Sequence, residues 1–207
     1  MASVAAPVPG SVLADALAAR TTRVRLGARA RSAALVLGGA LFTALCAQVA
    51  IHVPPSPVPV TGQTLAVVLV GSTLGARRGS AALALYLLLG LALPFYADGN
   101  SGWSVVWGPS GGYLVGFVVA AGVIGRLAER GADRKVATAF ASFVAGQAIV
   151  FAFGVAGLKL ATDQDWGWTI HNGFTVFIVG GLIKAAVAAV ALPSAWRLVR
   201  RVDRGAR

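Results

Sequence analysis

Charge is scarce in this chain of 207 residues: 12% are charged, against roughly a quarter in an ordinary soluble domain. Acidic residues are scarcest, seven against eighteen Lys and Arg. A water-soluble protein needs a charged coat, and this chain cannot build one. Its one cysteine, Cys46, has no partner for an internal bridge, which excludes a disulfide-stapled secreted scaffold. No Gly-x-x-x-x-Gly-Lys-Ser/Thr phosphate loop occurs, so the chain is not expected to hydrolyse ATP itself. The only histidines are His52 and His171. Neither stands in a metal-ligand spacing or in a nucleophile system, so no metal, no cofactor and no enzymatic activity are expected.

What is there is apolar: 57% of residues, with a mean hydropathy of +0.77 and 26 glycines. Disordered chains lack such residues. A hydrocarbon core about 30 Å thick needs roughly 20 apolar residues per helical crossing. Six runs approach that length, at 32–51, 62–76, 80–97, 111–127, 136–158 and 172–193. The expected fold class is therefore an all-α integral membrane protein with six transmembrane helices. It has a basic tail over 1–31, a membrane domain over 32–193 and a second basic tail over 194–207. The apolar run after Arg31 is longer than the 7 to 15 residues or so of a secretory signal, and is kept as a true span. Residues 1–19, small and Ala-rich, are expected to be disordered or a loose interfacial helix.

Lys and Arg near spans stay preferentially on the cytoplasmic side. The first tail carries Arg20, Arg23, Arg25, Arg29 and Arg31. Arg77 and Arg78 follow the second run, Arg126, Arg130, Arg134 and Lys135 the fourth, and Arg197, Arg200, Arg201, Arg204 and Arg207 the sixth. These sixteen share one side, so both termini are expected in the cytoplasm and the protein in the cell membrane, surrounded by lipid. The alternation of basic loops with spans also removes the nucleic-acid reading that a net charge of +11 would otherwise invite.

Lys184 stands near the middle of the sixth run. At 1.5 Å per residue it lies about 14 to 17 Å from either end, beyond the reach of a snorkelling stem of about 6 Å. An ionisable group at that depth marks a substrate or ion path by default. No Asp or Glu falls inside a run to neutralise it, so an anionic or strongly hydrogen-bonding ligand is expected. Gly180 and Gly181 hollow the helix beside it. The outer segment Pro54-Pro55-Ser56-Pro57-Val58-Pro59-Val60-Thr61-Gly62-Gln63 is stiff and extended, because proline fixes φ and removes donors. It suits a cap over a pocket, with Pro57, Pro59, Thr61 and Gln63 as gating residues, or a rigid hairpin between spans. Gly108, Gly112 and Gly116 repeat every four residues and predict close helix packing. Trp103 and Trp107 can stack on an apolar ligand or anchor at the interface, as can Trp166 and Trp168. Ala40, Ala44 and Ala47 form a small-residue stripe, with Gln48 one turn beyond Ala44, which docks either a helix of this chain or one of another.

Three motifs occur in order: Ser56-Pro57-Val58-Pro59-Val60-Thr61-Gly62-Gln63-Thr64, Tyr86-Leu87-Leu88-Leu89-Gly90 leading to Leu93-Pro94, and Gly108-Pro109-Ser110-Gly111-Gly112-Tyr113-Leu114-Val115-Gly116-Phe117. On these, the chain resembles the BioY family, the biotin-specific substrate-binding (S) components of energy-coupling-factor transporters, over roughly residues 40–193. The resemblance implies a six-helix protein that captures biotin near the outer face and, with a transmembrane coupling protein and two ATPases, carries it inward. It implies that Lys184 contacts the ligand, with the pocket at the entrance of the fourth span around Tyr113 and Trp107. It also implies that the Ala40, Ala44 and Ala47 stripe docks on the coupling partner. The family usually carries an acidic residue three positions before this lysine, where this chain has Gly181. Asn100 or Gln147 can offer a replacement acceptor, as can Asp163 or Asp165 folding inward. Two other readings stay open: an S component for a related small anionic heterocycle, and a secondary transporter that works without ATPases.

Overall fold

Backbone N–H and C=O groups inside hydrocarbon must bond within their own segment, which favours helices, and the computed structural model is built from them. It describes residues 12–21 and 27–205. Along the chain come α1 (Leu13–Thr21), α2 (Ala28–Ala47), the two-residue strands β1 (Ala50–Ile51) and β2 (Val60–Thr61), α3 (Gln63–Leu74), α4 (Ala76–Gly90), α5 (Trp103–Val106), α6 (Gly111–Glu129), α7 (Val136–Thr162), α8 (Trp166–Gly173) and α9 (Ile178–Gly205). The strands pair antiparallel, Ala50 opposite Thr61 and Ile51 opposite Val60. They form the neck of the proline-rich loop.

Helix α6 is the hub, packed against α3, α4 and α7. Small residues make this possible, because in lipid the attraction between helices depends on close backbone approach. A Cβ at Gly112 would fall on the Phe153 carbonyl and lie 2.9 Å from the Gly157 Cα. Gly116 likewise meets the α7 backbone at Val150, whereas Gly108 sits in the turn before α6. Between α3 and α4 the chain reverses at Gly75 with φ 83°, a left-handed conformation that glycine adopts without steric cost. Glu129 at the end of α6 accepts the Ala76 N–H at 2.9 Å and so caps α4.

Among the described residues, four helical stretches are long and apolar enough to cross a membrane: Ala28–Ala47, Gly111–Glu129, Val136–Thr162 and Trp166–Val199. The runs at 62–76 and 80–97 become α3 and α4, of 12 and 15 residues. They are shorter than the sequence suggests because Gly75 divides them and the chain leaves helical geometry after Gly90. The run at 172–193 is broken as well: Phe174 leaves helical geometry, and α9 begins only at Ile178.

Both expected tails are partly structured. Helix α1 packs on α3 and α9, burying Val12 and Leu13, while Asp15 Oδ1 accepts from Arg31 at 2.9 Å and Arg78 at 2.8 Å. Residues 12–21 are thus neither disordered nor loose; the expectation for residues 1–11 lies outside the described residues. Pro193 does not end α9, because beyond it Trp196 and Val199 are buried. The Trp196 indole N–H donates to Asp133 Oδ2 at 2.6 Å, and the Arg134 guanidinium lies 4.9 Å from the Trp196 ring. This knot ties the α6–α7 turn to α9.

Burial pushes the Asp133 carboxyl above its ordinary value of 3.8, against the opposing pull of the Trp196 hydrogen bond and of Arg134. A carboxyl whose folded pKa is raised binds its proton more tightly when folded, so its contribution to stability falls as pH rises from the unfolded value through the folded one. Asp133→Asn removes that titration. The difference in thermal midpoint between wild type and this variant is expected to shift in favour of the variant as pH rises from 4 upward, and to level off above the folded pKa. A pH-independent difference in a thermal-shift series contradicts the assignment.

Candidate ligand-binding site

A cavity of about 370 Å³ opens at the end of the bundle that carries the proline-rich loop, within the usual size range of small-molecule sites. Its polar wall is built where β2 runs into α3. Thr61 Oγ donates to Gln63 Oε1 at 2.7 Å, and Gln63 Nε2 donates to the Tyr86 hydroxyl at 2.6 Å. Opposite stand rings and aliphatic groups: Tyr113, Leu114 and Phe117 from α6, Phe151 from α7 and Phe177 before α9. Phe177 lies 6.1 Å from Tyr113 and 6.0 Å from Phe151, centroid to centroid.

Lys184 lies six residues into α9, about 9 Å from its start at 1.5 Å per residue, because the break at Phe174 shortens the helix above it. It is therefore nearer that end than a continuous span would put it. Half-buried, it lines the cavity and donates to the Thr61 carbonyl at 2.6 Å and the Thr64 hydroxyl at 2.9 Å. One ammonium thus joins α9 to the start of α3, using neutral oxygens and no carboxylate.

The loop is fastened at two further points. Ser56 Oγ donates to the Asn172 carbonyl at 2.8 Å, linking the loop to the end of α8, where the Tyr113 hydroxyl also donates to the Gly173 carbonyl at 2.6 Å. At the rim, His52 Nε2 stands 3.1 Å from Asp98 Oδ2, joining the loop to the α4–α5 connection. All four residues expected to gate, Pro57, Pro59, Thr61 and Gln63, line the cavity.

Among the residues expected to bind ligand, Lys184, Tyr113, Asn100 and Gly181 line the cavity. Asn100 sits at the exposed rim with its Nδ2 on the Ala97 carbonyl at 2.9 Å. Gln147 lies behind Gly181, donating to its carbonyl at 2.6 Å. Trp107 is a correction: it is 77% exposed and outside the cavity wall. The one-turn α5 leaves Trp103 and Trp107 exposed while Ser104 and Val105 line the cavity. Asp163 and Asp165 do not fold inward, for Asp163 pairs with Lys159 at 3.1 Å and Asp165 caps α8 through the Trp168 N–H at 2.9 Å. The Ala40, Ala44 and Ala47 stripe is buried inside this chain on the helix that packs against α4, so it offers no surface to a partner. Sequence reasoning missed Thr64, Phe117, Phe151, Phe177 and the His52–Asp98 bridge. Thr64 and Phe117, each closing one of the motifs, carried a usable signal; Phe151 and Phe177 look like any other phenylalanines in an apolar run.

The fold and site define a multi-pass membrane protein of the S-component architecture. A crystal structure of the S-component for biotin from an ECF-type ABC transporter superposes with a TM-score of 0.72 over 87% of this chain and 95% of that one, at 22% identity. The chain belongs to the BioY family, whose profile matches residues 18–201. It is 43% identical to the biotin transporter BioY of Thermotoga maritima over 152 residues, 72% of this chain and 88% of that protein. It is 37% identical to the biotin transporter BioY2 of Lactococcus lactis subsp. cremoris over 163 residues, 77% and 86% of the two.

Tyr113→Phe removes the tie between α6 and the α8 end and leaves the Gly173 carbonyl without that donor. The expected loss is about 1 kcal/mol, read as a fall of roughly 2 to 4 °C in thermal midpoint. An unchanged midpoint contradicts a structural role for that hydroxyl.

Proposed function

We propose that this chain is the substrate-binding subunit of a vitamin uptake transporter, capturing biotin at the outer face of the cell membrane for import powered by a coupling protein and two ATPases. The observation that carries the reading is Lys184. It is a cation in the wall of a cavity that hydrogen-bonding groups and aromatic rings line together. Biotin offers a ureido carbonyl and a carboxylate for such a donor, and a sulfur ring and alkyl chain for the rings. Membership of a family whose relatives are biotin transporters supports the same ligand.

In this reading α2, α3, α4, α6, α7 and α9 are six crossings, with the membrane domain centred on 32–193. Both termini are cytoplasmic, supported by the sixteen basic residues gathered on one side. The loop holding Pro57, Pro59, Thr61 and Gln63 is the outer gate, and Tyr113, Asn100 and Lys184 contact the ligand. The chain itself is not an enzyme; hydrolysis of ATP falls to the partners.

Titration of the purified, detergent-solubilised protein with biotin, followed by its five tryptophans or by calorimetry, is expected to give tight binding near one to one. Failure of the folded protein to bind contradicts the reading and favours another small anionic heterocycle. Lys184→Met keeps the stem and removes the charge. Loss of a charge-assisted hydrogen bond of about 1.5 to 3 kcal/mol predicts roughly ten- to hundredfold weaker binding, and unchanged affinity removes Lys184 from the site. Co-purification with ATP-hydrolysing subunits is expected; uptake driven by an ion gradient without them contradicts the proposed energy source.

A further inference from the structure

Helix α3 packs mainly on α6, and α9 mainly on α7, so α3 and α9 meet each other over a lesser contact. Their relative position depends on what bridges them. At the cavity end the bridge is Lys184 of α9, which donates to the Thr61 carbonyl and the Thr64 hydroxyl at the start of α3. The other end of α3 lies about 18 Å away, twelve residues on at 1.5 Å each. There α1 packs on both α3 and α9. Its Val12 and Leu13 are buried, and a Cβ built on Gly75, the residue after α3, would stand 3.2 Å from Val12 Cγ1.

Helix α1 has nine residues, fewer than the roughly 12 to 15 that an isolated helix needs to persist in water. It therefore owes its form to docking. Asp15 fastens it, for Oδ1 accepts from Arg31 in the first turn of α2 at 2.9 Å and from Arg78 in the first turn of α4 at 2.8 Å. One carboxylate thus ties to two helices a segment that packs on two others. Val12, Leu13 and Asp15 precede residues 18–201, so this clasp lies outside the stretch that matches the family profile.

We propose that Asp15 is a positioning residue for the ligand site: by docking α1 onto α3 and α9 at the far end of α3, it sets the spacing of the two helices that Lys184 bridges, and so where the ammonium stands in the cavity wall. Asp15 touches no ligand and acts through Lys184. The inference rests on the biotin reading and deepens it, because it gives that site a control remote from the cavity. With α1 undocked, α3 and α9 are bridged at one end only, and the ammonium gains positions other than the one that faces the ligand. Distant sites couple in this way when both bias an element that has two arrangements.

The test is a cycle of biotin affinities over wild type, Asp15→Arg, Lys184→Met and the double variant. Asp15→Arg sets a third guanidinium against Arg31 and Arg78 and so undocks α1. It is expected to weaken binding roughly three- to thirtyfold in the native background. Where Lys184 is already Met, the change is expected to be less than about twofold, since two substitutions acting through one group do not add. Asp15→Glu keeps the carboxylate and is expected to bind within about twofold of wild type. Should Asp15→Arg fail to fold, Asp15→Asn runs the same cycle. Equal weakening with and without Lys184 assigns Asp15 a general stabilising role and overturns the inference. So does an unchanged affinity in the native background, or a loss by Asp15→Glu equal to that by Asp15→Arg. A folded wild type that binds no biotin overturns the parent reading, and ligand-free hydrogen exchange then decides this inference by itself. Faster exchange at the start of α3, residues 63–66, is expected in Asp15→Arg, and an unchanged rate there overturns it.

Discussion

An ammonium group held inside an apolar bundle with no carboxylate to meet it is the constraint around which this molecule is arranged. Lys184 is satisfied by the Thr61 carbonyl and the Thr64 hydroxyl. Those two oxygens lie at the start of α3, more than a hundred residues away in sequence. A buried charge without hydrogen-bonding partners is costly, so the junction of β2 with α3 must remain against α9. That requirement in turn positions Gln63, which ties to Tyr86 on α4. One cation thereby sets the relative placement of three helices and the floor of the proline-rich loop.

The aromatic half of the cavity depends on a different constraint, backbone approach. The α6–α7 contact closes only because glycine meets glycine at Gly112 and Gly157, and Gly154 leaves room for the Tyr113 ring, whose atoms a Cβ there would strike. Tyr113 can then reach the Gly173 carbonyl and brace the short α8. The break at Phe174 follows, bringing Phe177 beside Tyr113 and Phe151 and starting α9 late enough that Lys184 faces the cavity close to its open end. Rings and cation thus share one chamber because a helix is interrupted where an unbroken span would have buried the lysine midway.

The sequence made the class legible, since low charge and long apolar runs with the arginines gathered in the gaps between them leave few alternatives to a helical membrane protein. The proline motif and Lys184 were legible for the same reason: prolines in a row and a charge in an apolar run violate the local pattern. What was hidden depended on helix ends and on rotation about helix axes. The bounds of twelve-residue α3 and fifteen-residue α4 differ from the runs expected at 62–76 and 80–97, because apolar composition does not reveal where Gly75 turns the chain. Small size alone did not tell whether Ala40, Ala44 and Ala47 face inward or outward, and they face inward. Trp107 lies next to the motif but outside the chamber, and Phe151 and Phe177 carry no mark that separates them from lipid-facing phenylalanines. Gln147 was visible as a polar residue in an apolar run, though its relation to Gly181 is a fact of packing.

The claim at the centre of this account is that segments far apart in sequence close on one ligand around Lys184. Hydrogen–deuterium exchange of the solubilised protein with and without biotin tests it without altering a residue. The account predicts added protection in the proline-rich loop through the start of α3, residues 50–64, together with the α4–α5 connection and the turn that opens α9, and little change at the Asp133–Trp196 end. Protection confined to the arginine-rich end, or absent from residues 50–64 despite bound ligand, would contradict it.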